Sequence, residues 1–127
     1  FNNFLKRGIK KMSEIESLLT AGADVNTKDN NDFTLLMSFV KRNDMKTVKI
    51  LLEYGANLKL KDFSSFTALD YAIQNNNLKM VELLMQYGTD ISDDNYMLAI
   101  ESNRKEIVAF FDTFDPNKHI FLKEKLK

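Results

Sequence analysis

Gly-Ala-Asp-Val-Asn at 22 to 26 returns as Gly-Ala-Asn-Leu-Lys at 55 to 59 and as Gly-Thr-Asp-Ile-Ser at 88 to 92, so the same step leads from 22 to 55 and from 55 to 88. A fixed period of that length restricts a chain to stacked copies of one supersecondary unit, none of which buries its apolar face alone. Other landmarks keep the same step. Phe33, Thr34, Leu35 and Leu36 are followed one period on by Phe66, Thr67, Ala68 and Leu69, and Ile15, Leu18 and Leu19 by Val48, Leu51 and Leu52, then by Val81, Leu84 and Met85.

The unit at 64 to 95 is the clearest. Thr67 is a good N-cap, and Asp70 three positions on can complete a capping box with it. A first helix is expected from about Ala68 to Gln74, burying Leu69, Ala72 and Ile73, before three asparagines at 75 to 77 break it. A second helix is expected from about Leu78 to Tyr87, with Leu78, Val81, Leu84 and Met85 on one stripe. Gly88 ends it, because a helix C-terminus commonly needs a left-handed residue, and Gly22 and Gly55 take the same part. Residues 31 to 63 repeat the plan, with Thr34 as cap, a first helix to about Lys41, a break at Asn43 and Asp44, and a second helix to Tyr54. The polar, turn-rich stretches 25 to 33 and 58 to 66 suit projecting, hairpin-like fingers rather than buried strands.

These residues resemble the ankyrin repeat family, whose pattern reads roughly Asp-x-x-Gly-x-Thr-Pro-Leu-His-x-Ala-Ala, then a second helix and Gly-Ala-Asp-Val-Asn. Asp29, Asp32, Phe33, Thr34, Leu35, Leu36 and Met37, and again Asp62, Ser65, Phe66, Thr67, Ala68, Leu69 and Asp70, occupy its first half. The resemblance covers residues 1 to 115 and implies an all-α solenoid of stacked helix-turn-helix units with projecting fingers. It divides a single domain, 1 to 127, into a partial repeat (1–30), two full repeats (31–63 and 64–95), a shortened repeat (96–115) and a capping helix (116–127). Asp32 and Ser65 replace the family's fingertip glycine, which puts a tight turn there in question. Phe39 replaces a small alanine, so packing around it must be looser or compensated.

At the N-terminal end, Phe4 and Leu5 look like the remains of a first helix. At the other end, aligning Ala72 and Ile73 with Ala99 and Ile100 gives an offset of 27, so the finger before this unit is truncated. Pro116 stops a helix, and Ile120, Phe121 and Leu122 among charges fit an amphipathic cap, since solenoids need such polar-faced ends; the alternative is the start of a further repeat.

Composition sets the function classes. Residues 64 to 95 carry one Lys against five Asp or Glu, −4, and the rest of the chain +4, giving the net charge of zero. That balance argues against a general nucleic-acid or acidic-membrane binder, which needs basic residues in excess. There is no cysteine, and hence no disulfide, thiolate metal site or Cys nucleophile. No apolar run approaches the roughly 18 residues that span a bilayer, and no secretory signal heads the chain. The chain starts at Phe1 rather than Met, so an upstream segment is expected to be missing. The compartment stays open, with the cytoplasm the default expectation.

Little supports an enzyme. The single histidine, His119, lacks convergent partners, and the four glycines are isolated rather than gathered in a phosphate loop. Asp90, Asp93, Asp94 and Asn95 form an acidic cluster, but their spacing departs from the calcium-loop pattern and fits a solvated loop. Asn26, with Leu18 eight positions before it, resembles the ankyrin sites that asparaginyl hydroxylases modify; the simpler reading is an amide that bridges finger backbones. The chain is therefore read as non-catalytic, monomeric, and without cofactor or metal.

The resemblance implies a protein partner, met by the fingertips and the exposed side of the first helices. Carried over by position, that face comprises Lys28, Asn30, Asn31, Phe33, Lys41 and Arg42 in one unit and Lys61, Phe63, Ser64, Phe66, Gln74 and Asn75 in the next. Phe33, Phe63 and Phe66 stand out, since aromatics on polar fingers suit an interface hot spot. Phe33 and Phe66, one period apart, can instead stack on each other over the inter-repeat groove, whereas Phe63 has no counterpart. Lys28, Lys41, Arg42 and Lys61 favour an acidic partner. Two other roles stay open: a regulatory or spacer domain inside a larger, possibly enzymatic chain, and a stand-alone inhibitor or immunity-type protein.

Overall fold

Helix boundaries in the computed structural model, which describes residues 12–114, follow the caps written in the sequence. The helices are α1 (Met12–Thr20), α2 (Leu35–Lys41), α3 (Met45–Glu53), α4 (Ala68–Gln74), α5 (Leu78–Gln86), α6 (Asp93–Glu101) and α7 (Lys105–Phe114). No strand occurs among the described residues, only an isolated antiparallel bridge between Lys28 and Thr34. Phe4, Leu5, His119 and the expected capping helix 116–127 lie outside them.

Thr34 and Thr67 accept hydrogen bonds from the backbone N–H groups of Met37 and Asp70, and the Asp70 carboxylate accepts the Thr67 N–H in return, so α4 carries the expected capping box. Asp44 and Asn77 cap α3 and α5. The second helices stop one residue earlier than expected, at Glu53 and Gln86, because Tyr54 and Tyr87 serve as C-caps. Gly55 follows at φ +86°, where its N–H reaches the Leu52 carbonyl and that of Ala56 the Leu51 carbonyl, satisfying the orphan acceptors of the last turn. An added Cβ on Gly55 would meet nothing within 4 Å, so the requirement is the left-handed backbone and not space. Asn43, Asn76 and Asn103 make the same left-handed stop at the ends of α2, α4 and α6.

First helices pack in one row, α2 on α4 and α4 on α6, and each also packs on its own second helix. Enclosed on three sides, α4 buries every residue from Ala68 to Ile73, not only the expected Leu69, Ala72 and Ile73. On α5 the buried stripe is Met80, Val81, Leu83 and Leu84, while Leu78 and Met85 are partly exposed. Phe39 is fully buried in the core, and its packing is not loose: the Arg42 guanidinium, 4.9 Å from the ring centroid, covers its face. Polar side chains tie successive first helices together. The Asn75 amide donates to the Lys41 carbonyl at 3.1 Å, and Arg104 donates to the Ile73 and Gln74 carbonyls at 3.2 and 2.6 Å.

The fingertips turn tightly without glycine. Asp32 and Ser65 adopt φ of 58° and 68°, a region that disfavours residues with a Cβ by about 1–2 kcal/mol. A carboxylate holds each turn in place: Asp29 Oδ1 accepts the N–H groups of Asn31 and Phe33, and Asp62 Oδ1 accepts those of Ser64 and Phe66. The doubt raised by the missing glycines is thus overturned, because an acceptor three positions before the strained residue stabilises the turn in its stead.

Candidate protein-binding surface

The two fingers lie side by side and are stitched together. Asn26 Oδ1 accepts the Asn57 N–H at 2.7 Å, and the Asn31 carbonyl accepts the Phe63 N–H at 2.8 Å. The amide of Asn26 therefore bridges finger backbones. This stitching sets Phe63 beside Phe33 at the mouth of a concavity of about 380 Å³ lined by Asp29, Asn31, Phe33, Lys41, Asp62, Phe63, Ser64 and Tyr71. Five of the twelve residues expected on the partner face, Asn31, Phe33, Lys41, Phe63 and Ser64, converge there. Phe63 is 83% exposed, an apolar ring held in water by its own finger.

Phe33 and Phe66 are half-buried, and the contact that holds them differs from the expected mutual stack. Both rings meet Tyr71 edge to face, at centroid distances of 5.5 and 5.7 Å. Tyr71 projects from α4 between the two fingers, and its hydroxyl donates to Asp62 Oδ2. Burial foremost, then that hydrogen bond and the charges of Asp62 and Asp70, push the Tyr71 hydroxyl well above the ordinary phenol range, so it remains a neutral donor. The repeat hides Tyr71, because Ser38 holds the equivalent place in the preceding unit and a first-helix position reads as core. The signal that could have found it is that departure itself, a large aromatic with a polar tip where the preceding unit has a serine.

The basic residues of this face are largely engaged. Lys28 pairs with Asp32 at 3.2 Å on the surface, Arg42 covers Phe39, and the Lys41 ammonium lies 5.5 Å from the Phe33 centroid and 5.3 Å from that of Tyr71. An exposed contact of this kind is worth only about 0.5–1 kcal/mol, so Lys41 is held lightly. Two carboxylates, Asp29 and Asp62, share the concavity with it. Of the four basic residues that underlie the expectation of an acidic partner, three make contacts within the chain.

The remaining expected residues do not join this concavity. Asn30 is exposed on the first fingertip. The amide of Asn75 is committed to the end of α2, and Gln74 offers its carbonyl to Arg104. Lys61 lines a separate, larger hollow of about 460 Å³ between the second finger and the short connection before α6, together with Lys59, Asp70, Asp90, Asp94 and Asn95. Asp93 and Asp94 occupy the first turn of α6, and Asn95 is bonded to both Ser92 and Asp70. Among the described residues no group of three or more His, Cys, Asp or Glu is arranged to hold a metal ion, and no helix is long and apolar enough to cross a membrane.

Comparison with known proteins agrees with this architecture. No curated protein matches the chain. A family model for ankyrin repeats matches residues 8–95 in three copies. Ankyrin repeats are in general protein–protein interaction modules and are typically non-catalytic. With paired helices, left-handed stops, stitched fingers and that match over most of its length, the chain belongs to the ankyrin repeat family.

Proposed function

We propose that the chain binds a partner protein through the face made by its two fingers and the adjoining first helices, acting as a monomeric recognition module without catalysis. The observation that carries this reading is Phe63. It exposes 83% of its surface although its backbone N–H is fixed to Asn31, and it stands at the rim of a concavity walled by Phe33 and Tyr71. A rigidly held, solvent-exposed aromatic beside a partly apolar hollow is what an interface anchor requires, since little ordering entropy opposes its burial. Among the described residues the other prominent exposed rings, Tyr54, Tyr87 and Phe114, lie at the C-terminal ends of second helices, and none of them lines this concavity.

A photo-cross-linking amino acid placed at position 63, and separately at the exposed Lys49 of α3, tests the assignment in the cell of origin. Position 63 is expected to yield one discrete protein adduct and position 49 none. Adducts of equal yield and pattern at both positions would overturn the choice of face.

A further inference from the structure

We propose that the concavity between the fingers receives a lysine side chain of the partner, and that Lys41 occupies this receptor in the free protein as a placeholder which the incoming lysine displaces. The proposal rests on the reading of the finger face as the partner-binding surface and specifies its chemistry.

Lys41 shows what the site accepts. Its ammonium stands over two ring faces, Phe33 and Tyr71, at 5.5 and 5.3 Å, and forms no ion pair among the described residues. The rings present their negative faces to it. They are held in place, Tyr71 by its bond to Asp62 and Phe33 by the turn that Asp29 closes. Removal of the Lys41 ammonium would therefore leave the receptor standing. Lys41 itself is an exposed residue in the last turn of α2, with a flexible stem that can swing to solvent.

The carboxylates fix the sign of the guest. Asp29 and Asp62 contribute two negative charges to the lining against the single positive charge of Lys41. Asp62 uses both oxygens, Oδ1 for the Ser64 and Phe66 N–H groups and Oδ2 for the Tyr71 hydroxyl. Asp29 uses Oδ1 alone, for Asn31 and Phe33, and its Oδ2 accepts no hydrogen bond from the described residues. A lysine guest would meet two aromatic faces, the exposed ring of Phe63 along its methylene stem, and one open carboxylate oxygen. A glutamate guest would bring a carboxylate against ring faces and two like charges.

Backbone and ring chemical shifts of the full chain, titrated with blocked pentapeptides of four glycines around a central lysine, norleucine or glutamate, test this. The lysine peptide is expected to shift Phe33, Phe63 and Tyr71, with norleucine and glutamate far weaker. Lys41→Met should tighten the lysine peptide about two- to fivefold, the equivalent of one exposed cation–π contact removed from competition. Asp29→Asn, which keeps the Oδ1 acceptor of the turn, should loosen it. The proposal is overturned if norleucine or glutamate binds as well as lysine, if Lys41→Met leaves lysine binding unchanged or weaker, or if no peptide shifts these rings. A position-63 adduct without lysine selectivity refutes the receptor and leaves the binding face intact; equal adducts at 63 and 49 refute the face.

Discussion

The two junctions along the finger side of the stack are built differently from the same repeat. Between α1 and α2, and between α3 and α4, the connections run over 21–34 and 54–67 and are equal in length, whereas that between α5 and α6 covers only 87–92, less than half as much chain. Of the eight positions lost, six are absent from the sequence and two are wound into helix. Counting back 27 from its end, α6 stops where α4 stops but starts two positions earlier. At the first junction, finger joins finger through Asn26 and Asn31 near the surface. At the second there is no full finger to join, and the hollow of about 460 Å³ marks the gap. The tie has moved down to the helix starts, where buried Asn95 donates to buried Asp70 at 2.5 Å. Stitching at the tips leaves a shallow concavity between fingers, while stitching at the helix caps leaves an open trough.

That contrast predicts unequal damage when each tie is cut. Asp70→Ala should have the largest effect, about 2–3 kcal/mol, because it strands the part-buried Thr67 N–H and the buried Asn95 amide together, leaving their desolvation uncompensated. Asparagine cannot substitute, since Asp70 uses both oxygens as acceptors. Asn95 in turn cannot flip its amide to compensate, as its oxygen already accepts from Ser92. Urea unfolding measures the loss, and a change under about 1 kcal/mol, the worth of one ordinary hydrogen bond, would mean that the Asp70–Asn95 tie does not hold the second junction. Asn26→Ala should lose only about 0.5–1 kcal/mol, because Asn57 is exposed and water can take up its N–H. A loss as great as that of Asp70→Ala would erase the distinction between the two junctions.

Much of the helical half was legible because its determinants are local. A threonine cap with Asp70 three positions on, or Gly55 after an apolar stripe, acts within one turn of chain, and the boundaries of α4 follow from those residues alone. The finger side was legible as a surface but not as a site. Phe63 could be singled out as an aromatic with no counterpart, yet its neighbour Tyr71 lies on a helix that reads as core. Their meeting depends on the inter-finger bond from Phe63 to Asn31, which joins positions nearly a full period apart. Asn75 shows the converse. Polar, in a turn and placed by the family pattern on the partner face, it is turned back onto the carbonyls ending α2, a use that only the stacked neighbour reveals. The surroundings of the charges were hidden for the same reason, since the sequence shows Lys41 and not the two rings beneath it.

The smallest predicted effect compares the two fingertips themselves. Ser65 and Asp32 hold equivalent left-handed positions, and glycine at either would relieve about 1–2 kcal/mol of backbone strain against an entropic loss of about 0.5–1 kcal/mol. Among the described residues Ser65 forms no side-chain bond that the exchange would remove, so Ser65→Gly should stabilise by about 0.5–1 kcal/mol and raise the melting temperature by roughly 2–5 °C. Asp32 differs in two respects. Its carboxylate pairs with Lys28 at 3.2 Å, an exposed contact worth about 0–1 kcal/mol, and aspartate tolerates the left-handed region better than serine. Asp32→Gly should therefore be close to neutral. Differential scanning calorimetry of both variants at low and high salt separates the terms: added salt should bring Asp32→Gly closer to Ser65→Gly by screening the ion pair that the wild type retains. If the two variants melt together at low salt, the Lys28 pair contributes nothing and the fingertips are energetically alike; if both destabilise, the Asp29 and Asp62 carboxylates hold these turns so firmly that the left-handed residue carries no strain to relieve.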